Sequence, residues 1–272
     1  MQGSGRTLVA AGGTLALSGT TKQLNRELLN AGATTWTAGA LQMSNGRFTN
    51  NGTFTANSGG TLQSYGTGGT NLFENNGTLT KQGAGTLSFT TSSTSVPFNN
   101  NGQVSIDSGA TSWVSYSQTT VGAALSLQGG SVTASNGLPI SQGTLRGFGA
   151  ITGNVTNNGT LELGVGGAGT LTITGTYTQG ASGVMNVEIG GTTQGTQFDR
   201  LTVSGAATLG GTLNIQLING FQPTSAPPGG FAIVAHASRN GSFATVNGTS
   251  IGNGFSFAPN YSSSTQTVLN VQ

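Results

Sequence analysis

Along most of the chain, apolar and polar residues alternate in short runs, as in Thr53-Phe54-Thr55, Thr78-Leu79-Thr80 and Leu161-Glu162-Leu163. A period of two predicts short, half-buried β-strands. The runs follow a recurring signature: an apolar residue, a variable one, Asn, then Asn or Ala, then Gly. It reads Leu28-Leu29-Asn30-Ala31-Gly32, Phe48-Thr49-Asn50-Asn51-Gly52 and Phe73-Glu74-Asn75-Asn76-Gly77, then Phe98-Asn99-Asn100-Asn101-Gly102 and Val155-Thr156-Asn157-Asn158-Gly159. Its glycines, at 32, 52, 77, 102 and 159, are 20, 25, 25 and 57 residues apart. Between copies falls a second signature, Gly then Thr, Ser or Ala before an alternating run, at Gly13, Gly39, Gly60, Gly85, Gly109, Gly130 and Gly169. Asn and Gly tolerate positive φ and mark sharp corners.

Two architectures fit such corners. In a hairpin meander, Asn-Gly reverses the chain; in a parallel β-helix it joins strands on successive faces. A repeat of 20–25 residues with two corner motifs matches a turn of about three short strands. The expected fold is therefore all-β, a right-handed parallel β-helix, the hand following the crossover preference. Turns stacked about 4.8 Å apart place Asn50, Asn75 and Asn100 in an amide ladder. Asn157 holds the same motif position further along. Gly52, Gly77, Gly102 and Gly159 form the matching corner column. Phe48, Phe73 and Phe98 stack inside, as do Phe54, Leu79 and Val104.

After about residue 178 the alternating runs lengthen, as in Val184 to Ile189 and Thr212 to Ile218. Pro223, Pro227 and Pro228 mark a loop before further strands. The expected organisation is helical coils over 1–178 and more irregular β coils or a cap over 179–272, with a soft boundary.

Composition narrows the function classes. Of 272 residues, 48 are Gly and only 5% are charged, which excludes helical bundles and charge-driven disorder. There is no Cys, so disulfide frameworks and Cys-zinc sites are excluded. The net charge of +2 rests on eight scattered basic residues rather than the basic stripe of a nucleic-acid binder. No apolar run reaches the length of a membrane span, and Met1 to Gly5 carries no signal-peptide h-region.

One resemblance adds to this reading. Gly169-Thr170-Leu171-Thr172-Ile173-Thr174-Gly175-Thr176-Tyr177-Thr178-Gln179 resembles the end of autotransporter passenger domains and related bacterial β-strand-repeat surface proteins. So does Phe198 to Gly205 running into Ala207 to Leu213, and upstream Gly147 to Val155 followed by Asn157-Asn158-Gly159-Thr160. The likeness covers roughly 140–220, and no membrane barrel follows in the sequence. It implies a secreted or cell-surface right-handed β-helix acting as a stalk or adhesin-like module.

Chemical candidates are few. Gly164-Val165-Gly166-Gly167-Ala168-Gly169 matches the dinucleotide fingerprint, but β alternation rather than a helix follows. Gly248-Thr249-Ser250-Ile251-Gly252 matches the nucleophile elbow, but the only His, His236, lies upstream. One His and six carboxylates show no metal-ligand spacing, so no metal or cofactor is expected. Polysaccharide hydrolysis needs two carboxylates about 5–10 Å apart; Glu74, Glu162 and Glu188 meet only if the turn offsets allow. Thr pairs such as Thr53/Thr55 and Thr78/Thr80 suggest an ice-binding array, which Gln103 and Ser105 interrupt. Lys22-Gln23-Leu24-Asn25-Arg26-Glu27 reads as a short helix, an N-terminal cap or a protruding loop. Trp36, Trp113, Tyr65, Tyr116, Tyr177 and Tyr261 either line a glycan groove or stack inside. The expected function is a non-enzymatic extracellular structural or adhesin-like module, or a self-assembling fibre subunit. Its expected partners are copies of itself or cell-surface glycans. A polysaccharide-acting enzyme and an ice-binding solenoid are the alternatives.

Overall fold

A computed structural model describes residues 1, 3–65, 70–89 and 95–272. The described chain contains strands and turns and no helix. It is a β-solenoid built from parallel stacked strands, divided into two compact units, Met1–Leu138 and Pro139–Gln272.

In the first unit each turn gives one strand to each of three faces. The first face stacks Arg6–Val9, Glu27–Asn30, Arg47–Asn50, Leu72–Asn75, Phe98–Asn100 and Tyr116–Ser117. The second stacks Thr14–Leu17, Ala33–Trp36, Thr53–Ala56, Thr78–Lys81 and Gln103–Ile106 onto the start of Ala124–Ala134. The third runs through Thr21–Leu24, Ala40–Met43, Gly60–Ser64, Thr86–Phe89 and Ala110–Trp113 onto the end of that long strand. The helix, cap or loop expected around Lys22 is instead two ordinary strands, Thr21–Leu24 and Glu27–Asn30. Lys22 stands in register with Leu41, half-buried, its ammonium donating to Ala38 O at 2.8 Å and lying 5.6 Å from the centroid of the Trp36 ring.

Period-two patterning fixes which side chains enter. Phe73 is in register with Phe48 and Phe98, and Leu79 with Phe54 and Val104. The Phe48–Phe73 and Phe73–Phe98 rings lie nearly parallel at 4.8 and 5.2 Å. Tyr116 continues the stack at 5.9 Å from Phe98. All three phenylalanines are wholly buried, each removing a large apolar surface from water.

The corner glycines require a different explanation from positive φ. Gly52, Gly77, Gly102 and Gly159 are not in the left-handed region. A Cβ on Gly52 would lie 2.1 Å from Gly32 O, one on Gly77 2.1 Å from Gly52 O, and one on Gly102 2.2 Å from Gly77 O. One on Gly159 would lie 2.4 Å from Gly143 O. Stacked corners bring backbone against backbone, so steric room, not left-handed geometry, excludes a side chain. Positive φ belongs to the other corner, at Gly39, Gly85 and Gly109.

The second unit repeats the plan. One face stacks Val155–Asn157, Tyr177–Gln179, Ala206–Leu209 and Ser238–Gly241. Another stacks the start of Thr144–Thr152 on Thr160–Leu163, Val184–Ile189, Thr212–Leu217 and Thr245–Asn247. The third stacks the end of Thr144–Thr152 on Thr170–Thr174, Arg200–Val203 and Phe231–Ala235. Parallel order then stops: Phe231–Ala235 pairs antiparallel with Gln266–Val271, which pairs antiparallel with Phe255–Asn260.

Candidate functional site

Two features gather the polar chemistry. The first is an amide ladder inside the first unit. Asn30 Nδ2 donates to Asn50 Oδ1 at 2.7 Å, Asn50 to Asn75 at 2.8 Å, and Asn75 to Asn100 at 3.0 Å. The second hydrogen of each amide goes to a carbonyl of the next turn: Thr53 O, Thr78 O, Gln103 O and Ala124 O, at 2.8–3.1 Å. These four asparagines are wholly buried, so the ladder keeps amides that would otherwise be costly hydrogen-bonded in the interior. Beside it runs an outer ladder of opposite polarity: Asn101 donates to Asn76 and Asn76 to Asn51, both at 2.9 Å.

Asn100 ends the inner ladder on Tyr116 and Gln118. Its Nδ2 reaches Tyr116 Oη at 3.3 Å and Gln118 Oε1 at 3.1 Å, and Tyr116 Oη donates to Gln118 Oε1 at 2.7 Å. The second unit repeats this device. Asn157 Nδ2 lies 3.3 Å from Tyr177 Oη, which donates to Gln179 Oε1 at 2.8 Å. Gln179 then donates to Gly210 O and Thr212 O. Burial pushes both phenols well above their ordinary pKa, against a smaller opposing effect of the asparagine bond, so both stay protonated donors. The motif spacing predicts Asn50, Asn75 and Asn100 in the ladder, but neither Asn30's part in it nor the Tyr-x-Gln terminator. The signal was present in Tyr116-Ser117-Gln118 and Tyr177-Thr178-Gln179.

The second feature is a groove of about 490 Å³ on the second unit. Its floor is a register column of outward positions, Arg146, Glu162, Asn186 and Asn214, flanked by Glu188 and Gln216. Its wall is the Gly164–Gly167 loop, with exposed Val165 at the lip. The dinucleotide-like glycines thus shape this wall; strand Thr170–Thr174 follows them, with no helix N-terminus to hold a pyrophosphate.

Asp199 lies beneath, wholly buried. Its oxygens accept from Gly169 N and Glu188 N, each at 2.7 Å, which ties the loop to strand Val184–Ile189. Burial pushes its pKa up to about 7, opposed by those two N–H donors and reinforced by the Glu188 charge. Glu162 and Glu188 are therefore brought to one groove, whereas Glu74 lies in the first unit, paired with Arg47.

Other candidates fall to structural places. Trp36, Trp113, Tyr116 and Tyr177 are buried, so they line no surface groove; Tyr65 is exposed, and Tyr261 lies under Arg239 at 4.9 Å. Ser250 sits on strand Ser250–Gly252, not on a strand-to-helix elbow. His236 is buried, its Nε2 3.4 Å from Thr267 Oγ1. Thr53/Thr55 and Thr78/Thr80 stand in register, between Ala33/Thr35 and Gln103/Ser105. Among the described residues no group of three His, Cys, Asp or Glu is disposed to hold a metal, and no helix is long and apolar enough to cross a membrane. No protein-family model matches the chain, and no curated protein matches it.

Proposed function

We propose that this chain is a non-enzymatic extracellular structural or adhesin-like module, similar in kind to the passenger stalks of bacterial surface proteins. One observation carries the reading: an in-register, fully buried ladder from Asn30 through Asn50 and Asn75 to Asn100, locked turn by turn to the backbone. Such a ladder makes each turn's stability depend on its neighbours, which suits a load-bearing scaffold. The antiparallel close of the second unit covers the outer edge of Phe231–Ala235 with Gln266–Val271, which favours a discrete module over an endlessly stacking fibre. Electron microscopy of the purified protein tests this: separate particles of uniform length support it, and long regular fibres replace it with a self-assembling subunit.

A second reading, a polysaccharide-acting enzyme, draws on the meeting of Glu162 and Glu188 in one groove. It predicts release of reducing ends from a polysaccharide, abolished in Glu188→Gln. Absence of release across plant and bacterial polysaccharides removes it.

A further inference from the structure

The groove of the second unit gathers donors and acceptors that bond to no other protein group into one concave site. In the first unit Arg47 pairs with Glu74, and both asparagine ladders are bonded along their length. In the groove, Arg146 and Glu162 are register neighbours yet form no ion pair. The outer amide column runs from Asn247 to Asn214 to Asn186, each bond 2.9 Å, and leaves the Asn186 Nδ2 donor unused beside Glu162. Glu188 Oε2 is out of contact with solvent and accepts from no donor. Donors and acceptors are thus interleaved on a floor whose column, from Arg146 to Asn214, spans three inter-turn steps, about 14 Å.

We propose that this groove binds a neutral oligosaccharide. A sugar hydroxyl both donates and accepts, so a chain of them can use Arg146 and Asn186 as donors and Glu162 and Glu188 as acceptors together. An anion would meet two glutamates with Asp199 beneath. The carboxylates are not disposed to share a metal, and an apolar ligand would cover Arg146, Glu162 and Asn186 without giving them partners. Val165 at the lip offers an apolar contact for the C–H face of a ring. The proposal concerns the second unit's surface and does not depend on the stalk reading.

The test is saturation-transfer NMR and calorimetry of the whole chain against neutral malto-, cello-, manno- and galacto-hexaoses. The expected result is binding of at least one, weakened about tenfold or more by Arg146→Ala and by Glu188→Gln. Thr80→Ala, on the first unit, should bind as the wild type does. Circular dichroism confirms that each variant is folded; Glu162→Gln serves as the substitute if either groove variant is not. No binding by the wild type to any of the four, or equal binding by folded groove variants, overturns the proposal. Binding accompanied by release of reducing ends upholds the groove and overturns the non-enzymatic reading, so the two failures are distinguishable.

Discussion

Replacing Asn75 by alanine removes the acceptor for Asn50 Nδ2 at 2.8 Å and the donor to Asn100 Oδ1 and Gln103 O, at 3.0 and 3.1 Å. Asn100 Oδ1 keeps the Gly102 N–H at 3.2 Å, but one buried N–H of Asn50 is orphaned. An orphaned buried group costs about 1–3 kcal/mol, and each further bond lost about 1 kcal/mol, so the expected loss is about 3–5 kcal/mol. Asn76, the next residue, makes the same kind of bonds, to Asn51 and from Asn101, but on the exposed outer ladder. Water replaces them there, and Asn76→Ala should cost no more than about 0.5 kcal/mol. Urea unfolding followed by circular dichroism measures both, the midpoint difference at a common slope giving the cost. Equal costs for the two variants, or less than about 1 kcal/mol for Asn75→Ala, would refute the argument that burial of the ladder is what matters.

Three further outcomes follow from the same geometry. Gly77→Ala puts a Cβ 2.1 Å from Gly52 O and should cost about 4 kcal/mol or more, whereas Gly12→Ala, at φ +78 in open space, should cost about 1–2 kcal/mol in the same urea assay. Asp199 has a folded pKa of about 7, above its ordinary value, so its contribution to stability is full below about pH 4 and lost as pH rises through 7; Asp199→Asn should flatten that part of the urea-midpoint profile. Lys81 is wholly buried, with its ammonium held by Gln82 O and Gly83 O, and burial lowers its pKa. The folded state therefore sheds its proton more readily, stability should rise with pH towards 10, and Lys81→Met should remove that rise.

The stacking of Phe48, Phe73 and Phe98 and of Phe54, Leu79 and Val104 was readable because equal 25-residue spacing aligns the two inner columns. The Tyr-x-Gln terminator was hidden because Tyr116 follows Phe98 after only 18 residues, which breaks the spacing. The corner glycines at 52, 77 and 102 serve close backbone approach rather than positive φ, because a sequence shows that a side chain is missing but not what would have touched it. The groove was less legible still. Asp199 reaches Gly169 across 30 residues, and no local pattern reports which loop folds over which strand. Scarce charge acquired a clearer meaning. The densest charges of the first unit alternate in sign up one column, Arg6 to Glu27 to Arg47, so stacking brings opposite rather than like charges together.

The parallel, in-register stack itself is tested most directly by engineered cysteine pairs, since the chain has no native Cys. Thr55 and Thr80 are outward neighbours on adjacent turns, about 4.8 Å apart, within disulfide reach. Thr55 and Ser105 are two turns apart, about 9.6 Å and out of reach. Oxidation should link Thr55→Cys with Thr80→Cys and leave Thr55→Cys with Ser105→Cys open. Failure of the first pair, or equal linking of both, would contradict the stacked solenoid.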